Sequence, residues 1–308
     1  MTNGVVRTEA SSRSPARNSR AGLAYGLSAY FMWGVFPIYF RAVASVPPLV
    51  ILCHRVVWSA LFLGIVVSAR AEWGSIWPVL KNRRNVLFLS AGAVLIALNW
   101  LIFIYAVVSR QVLQASLGYF INPLLSIALG LIFLRERLRP GQWLAVGIAA
   151  GAVLNLALRG GGFPWIAISL AASFGFYGLV RKSVDINSLH GLMVETSILL
   201  PLAVPLLGLL PSGNPTRATW GLLSLSGIIT AIPLLCFGAA LRRLQLSTMG
   251  FLQYVGPTLQ FLVALFVFHE PLDRSKLGSF VLCWIGIAVY VVDSLVNRRP
   301  QEIADEPE

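Results

Sequence analysis

Ten long apolar runs, separated by short polar gaps, organise this chain. They cover Gly22–Phe40, Pro48–Ser68, Val86–Val107, Val112–Leu134, Gly141–Leu158, Phe163–Val180, Leu189–Leu210, Trp220–Leu241, Ser247–Phe268 and Lys276–Leu295. A run of about 18 or more apolar residues is long enough to cross a bilayer as a helix. Most gaps are too short to hold a soluble domain. The pattern predicts an all-α integral membrane protein with ten transmembrane helices.

The fourth run of each five-run set opens on a related segment. Ala115-Ser116-Leu117-Gly118-Tyr119 matches Ser247-Thr248-Met249-Gly250-Phe251. After a two-residue slip, Phe120 matches Tyr254, Pro123 matches Pro257, and Glu136-Arg137-Leu138 matches Glu270-Pro271-Leu272. A repeat with an odd number of spans crosses the membrane in opposite senses in its two copies. Inverted repeats of this kind are the mark of secondary transporters. The expected organisation is a cytoplasmic tail over 1–20, a first five-helix repeat over 21–158, a second over 161–296, and a tail over 297–308.

Composition agrees with the apolar runs: the chain is 57% hydrophobic and 12% charged, where a soluble domain is about half apolar and a quarter charged. Charge then orients it. With a cytoplasmic N-terminus, seventeen Lys and Arg fall in inner segments and six in outer ones, and Arg55 lies inside a run. That bias places both termini in the cytoplasm. The net charge of +12 is thus a topology signal; it is spread over six inner segments, whereas nucleic-acid binding gathers charge on one face. The first run follows Arg20 as a signal peptide would, but it is longer than the roughly 7–15 apolar residues of a secretory core and reads as a retained helix. The tails over 1–20 and 301–308 read as disordered. Cys53, Cys236 and Cys283 are dispersed, without ligand spacing, and read as buried packing. No cofactor or metal motif is present: there is no Walker A sequence, GxGxxG or HExxH.

Polar residues inside the runs are the candidate site. Ala115, Tyr119, Asn122 and Ser126 form one helical stripe, and Met249, Gln253, Gly256 and Gln260 form its counterpart in the second half. Such stripes face a wet cavity or glue helices together. Pro123 and Pro257 sit mid-run as a matched pair and are candidate hinges. Arg55, in Cys53-His54-Arg55-Val56-Val57-Trp58, costs at least about 2.5–3.5 kcal/mol in a bilayer centre unless it faces the interior; snorkelling to the outer interface is the alternative. Trp58, Asn99, Trp100 and Tyr177 join it as candidate pathway residues. Glu195 is the acidic residue well inside a run. It is a candidate for proton coupling, or else holds a structural hydrogen bond. Helical rise puts Arg55 and Glu195 roughly 10 Å apart in depth, too far for a pair. Gly22-x-x-x-Gly26 and Gly147-x-x-x-Gly151 suit close packing within a monomer or across a homodimer.

Several of these segments together resemble the RarD group of EamA-type transporters. They are Gln114-Ala115-Ser116-Leu117-Gly118-Tyr119-Phe120-Ile121-Asn122-Pro123, His54-Arg55 with Trp58-Ser59, Asn99-Trp100-Leu101, Phe176-Tyr177-Gly178-Leu179-Val180-Arg181-Lys182 and Ile232-Pro233-Leu234-Leu235-Cys236-Phe237. The resemblance runs from about residue 21 to 296. It implies the drug/metabolite transporter superfamily, ten helices in two inverted repeats, and a permease of the bacterial inner membrane that exports small metabolites or drugs by alternating access. One departure is Gln114, where members of the group often carry an acid; if that acid couples protons in them, coupling here would rest on Glu195 or be absent. The partners expected are the lipid bilayer and a small-molecule substrate, with no nucleic acid. An uncoupled facilitator or exchanger is the alternative, and a lipid-modifying membrane enzyme with His54 as base a more distant one.

Overall fold

The structure is a computed structural model that describes residues 15–108, 112–158, 165–213, 215–269 and 274–297. Every apolar run carries helix, and no strand occurs among the described residues. The first run is divided into α1 (Pro15–Gly34) and α2 (Phe36–Ala42). The next is α3 (Pro48–Ala69). A short helix that the apolar pattern does not predict, α4 (Trp73–Lys81), follows it. Then come α5 (Arg83–Val108), α6 (Val112–Phe133), α7 (Pro140–Leu158), α8 (Trp165–Lys182), α9 (Ser188–Leu209) and α10 (Arg217–Leu241). The ninth run is divided into α11 (Leu246–Gln253), α12 (Val255–Leu262) and a π-helical turn (Val263–Val267), before α13 (Arg274–Val296).

Among the described residues, six helical stretches are long and apolar enough to cross a membrane: Ser19–Ala42, Pro48–Ala69, Arg83–Ala106, Ser188–Leu209, Arg217–Leu241 and Leu246–Val267. Gly118–Phe133 and Val281–Val296 are shorter apolar helices. The outer surface is what a bilayer requires. Leu87, Ile132 and Leu209 are more than two-thirds exposed, and water would penalise so much continuous apolar area. Packed on α5 and α9, α4 presents Trp73 and Trp77 outward, in the manner of interfacial aromatic anchors.

Helix α1 starts at Pro15, so residues 15–20 belong to a helix and not to a tail. Pro at the first helical position costs nothing, because the N–H it lacks has no helical partner there. The two broken runs are α1/α2, interrupted at Val35 just before Pro37, and α11/α12, interrupted at Tyr254 three residues before Pro257. They pack against each other through α1 and α12. By contrast, α6 continues as one helix through Pro123.

The other main packing pairs are α1 with α10, α3 with α9 and α10, α5 with α8, α6 with α8 and α11, and α7 with α13. The principal core collects Tyr30, Leu63, Leu89, Tyr177, Phe237 and Met249. Close approach is made by glycine: a methyl at Gly227 of α10 would stand 2.2 Å from the backbone of Trp58 in α3, and Ser59 donates to the Gly227 carbonyl at 3.2 Å. Gly22 and Gly26 also pack within the chain, against Leu244 and Leu252. Gly147 and Gly151 face open space. All three cysteines are free, with Cys53 and Cys283 buried and Cys236 half-buried.

Candidate functional site

Arg55 turns inward. It is 4% exposed, so the alternative of snorkelling to the interface does not describe it. Its Nε donates to Thr230 Oγ1 of α10 at 2.9 Å. Its guanidinium lies 4.3 Å over the Trp100 ring and 5.5 Å from that of Phe40. The phenols of Tyr39 and Tyr119 are within electrostatic range of it. Phe103 closes the aromatic wall, at 5.9 Å from Phe40 and 5.8 Å from Tyr119. Five helices therefore supply this cage: α2, α3, α5, α6 and α10.

The polar stripe of α6 continues from it. Asn122, one turn beyond Tyr119, is buried, and its Oδ1 has no partner. Another turn on, Ser126 accepts from Gln253 Nε2 of α11 at 3.2 Å. The two stripes thus meet at Ser126 and Gln253. Gln114, at the head of the stripe, has a side chain outside those described, as have Ala115 and the whole of Glu270-Pro271-Leu272.

The remaining candidates are held elsewhere. Asn99 donates to the Leu170 carbonyl and to Ser173 Oγ, both at 3.0 Å, and ties α5 to α8. Trp58 donates to His54 at 3.3 Å, and the His54 ring lies edge-on to Trp220. Gln260 reaches back to the Trp33 carbonyl of α1 at 3.3 Å. Tyr177 stacks on Phe237 and donates to Glu195 Oε2 at 3.3 Å.

Glu195 is 1% exposed, and its ionic partner is Arg181 of α8, with Nε to Oε1 at 3.6 Å. In the sequence Arg181 stands beside Lys182 as one more inner-loop charge; in the fold it is 6% exposed and lies over Gly191. Gly92 of α5 makes room for Glu195 Oε1. Arg181 Nη1 and Glu195 Oε1 have no hydrogen-bond partner. The neighbouring Lys182 caps the carbonyls of Leu241 and Leu244.

Sequence reasoning missed Thr230, Phe40, Phe103 and Arg181 at these sites, and it reads Tyr39 as an interfacial anchor although its phenol faces Arg55. Phe40 sits beside Tyr39 at a span end, the usual place of an interfacial anchor, which conceals its inward role. A lone Thr in mid-span, such as Thr230, or an Arg near a span end, such as Arg181, gives no signal of its partner across the bundle.

A bundle of apolar helices with buried, half-satisfied polar groups between them defines a multi-pass membrane protein built around an internal polar site. The chain belongs to the EamA-like transporter family, which matches residues 20–158 and again 163–292. It is 44% identical to Protein RarD of Salmonella typhimurium, covering 92% of this chain and 99% of that one. It is 42% identical to Protein RarD of Escherichia coli K12, over 92% and 98%. An uncharacterized transporter of Bacillus subtilis, YojE, is 38% identical over 91% and 97%. These relatives place it in the drug/metabolite transporter superfamily. A crystal structure with 18% identity shares the fold at a TM-score of 0.71, covering 91% of this chain and 99% of that one.

Proposed function

We propose that this chain is a secondary-active permease that exports small metabolites or drugs across the bacterial inner membrane by alternating access. Ten spans form two inverted five-helix repeats, 21–158 and 161–296, with both termini cytoplasmic. The substrate pathway runs between the halves, past Arg55, Trp100, Tyr119 and Asn122. Pro257 and the break at Tyr254 serve as the hinge, and Glu195 exchanges the coupling proton.

One observation supports this reading above the others. Arg55 of the first half reaches Thr230 of the second, yet the rest of its guanidinium makes no hydrogen bond among the described residues. Neither does the buried Asn122 Oδ1. Unpaired buried polar groups are costly, and a passing substrate would satisfy them. Glu195 is supported as the coupling group by an ion pair too long for a good hydrogen bond and by its unpartnered Oε1.

The test is transport by purified protein in liposomes, with a metabolite and drug panel, with and without a pH gradient. Gradient-driven flux should disappear in Glu195→Gln while the protein still folds. Flux that ignores the gradient in the wild type would instead favour an uncoupled facilitator or exchanger.

A further inference from the structure

We propose that the Arg55 cage is a binding site for an organic monocarboxylate with a flat, apolar body. This rests on the permease reading and names the class of cargo that the pathway takes.

Charge balance comes first. Arg55 is 4% exposed and a guanidinium keeps its proton, but no carboxylate interacts with it among the described residues. The polar groups that face it are the phenols of Tyr39 and Tyr119 and the hydroxyl of Thr230. Glu195 is engaged by Arg181 and Tyr177. Of the other described carboxylates, Glu72 pairs with Arg70 and His190, Glu136 binds the backbone N–H groups of Leu246 and Ser247, Asp185 pairs with Arg242, and Asp293 with Arg139. A buried cation without a counter-ion is expensive in a bilayer, and an anionic ligand removes that cost.

Geometry then selects the anion. A guanidinium has five N–H donors in a planar fork. Here Nε is committed to Thr230, and the plane is held against the Trp100 ring. The four N–H groups on the two terminal nitrogens have no acceptor among the described residues. A ligand would satisfy them, and their fixed orientation matches a carboxylate with two parallel hydrogen bonds. Tyr119 adds a hydroxyl that makes no hydrogen bond to a described residue. One cation matches one negative charge, whereas a phosphate monoester carries about 1.5 to 2 at neutral pH. With no carboxylate facing the cage among the described residues, no anion is there to pair with an ammonium group, so a zwitterion gains no ion pair over a simple acid.

The walls select the body. Phe40, Trp100, Phe103 and Tyr119 are successive rings around the guanidinium, with the ring contacts given above. Such rings offer flat apolar faces to an aryl or similarly planar group.

Binding to the full-length protein in detergent tests this without any need for transport, with tryptophan fluorescence and calorimetry as readouts. The probes are phenylacetate, phenylacetamide, phenylalanine and phenyl phosphate. Phenylacetate should bind about tenfold or more tightly than the uncharged amide, and also more tightly than phenylalanine and phenyl phosphate. Arg55→Gln should erase the preference for acid over amide. Thr230→Val, which leaves the charge in place, should weaken phenylacetate binding by several-fold, and it serves if Arg55→Gln does not fold. Equal binding of acid and amide to the wild type, no binding of phenylacetate at millimolar concentration, or a preference that survives Arg55→Gln would each overturn the proposal. A protein that binds phenylacetate with this profile but moves nothing across liposomes would overturn the permease reading alone. One that transports other cargo but binds no carboxylate would overturn this assignment alone.

Discussion

Gln260 Nε2 donates to the carbonyl of Trp33 at 3.3 Å, across the contact between α12 and α1. In an unbroken helix that carbonyl would accept from the residue four positions on, which is Pro37 and has no N–H. A side chain of the ninth run therefore replaces the backbone donor that proline removes from the first. The two broken runs are joined at the break itself.

Replacing Gln260 by Leu should destabilise the protein by about 1 kcal/mol, the net worth of a typical hydrogen bond. The mechanism makes a sharper statement than the size. In a Pro37→Ala background, the new backbone N–H can donate to the Trp33 carbonyl in the ordinary helical way, and Gln260→Leu should then cost much less. Thermal unfolding of the four proteins in detergent gives the coupling directly. Equal costs in both backgrounds would show that Gln260 acts by some other contact.

Membership of the bundle class was legible because span length is a one-dimensional property: each apolar run carries helix, although the first starts early, at Pro15, and the first and ninth are broken. Arg55 was legible as a residue that must face the interior or snorkel, because few environments accept a charge inside a bilayer; its burial in the fold is what separates the two. Partners were not. Gln260 belongs to a stripe that sequence reasoning aims at the pathway, yet it is spent on a carbonyl orphaned by Pro37 in another helix. Asn99 likewise ties α5 to α8. Both placements depend on which helices are neighbours, and periodicity within one helix carries no record of that. Pro37 stood outside the matched proline pair in the sequence, but the chain breaks beside it and runs on through Pro123.

The buried Arg181–Glu195 pair should respond unequally to loss of its two members. Their side chains are 4% and 2% exposed. Glu195→Leu leaves a guanidinium that cannot shed its proton, and it should cost about 3–5 kcal/mol, the usual range for breaking a buried pair. Arg181→Leu leaves a carboxyl that can take up a proton and keep its bond with Tyr177, so it should cost less. The double Leu variant should lie closer to the wild type than Glu195→Leu does. Unfolding midpoints in detergent at constant pH rank the three variants, and equal losses from the two single variants would contradict the asymmetry.

The surface cluster at the end of α3 should give the fold an acid-sensitive contact. Glu72 accepts from His190 at 2.8 Å, tying the loop after α3 to α9, and from Arg70 at 2.7 Å. The hydrogen bond from His190, with that of Arg70 behind it, holds the Glu72 carboxyl below its ordinary range. A carboxylate whose folded-state pKa is depressed stabilises the fold fully above its unfolded pKa and loses that stabilisation as pH falls through the folded value. Glu72→Gln should therefore be less stable than wild type at neutral pH, and the gap should close below the ordinary carboxylate range. His190→Ala removes the largest cause of the depression, so in that background the gap should close at a higher pH. Unfolding midpoints of the four proteins across this pH series would test it. A gap between wild type and Glu72→Gln that stays constant with pH would mean that the ionised carboxylate contributes nothing there.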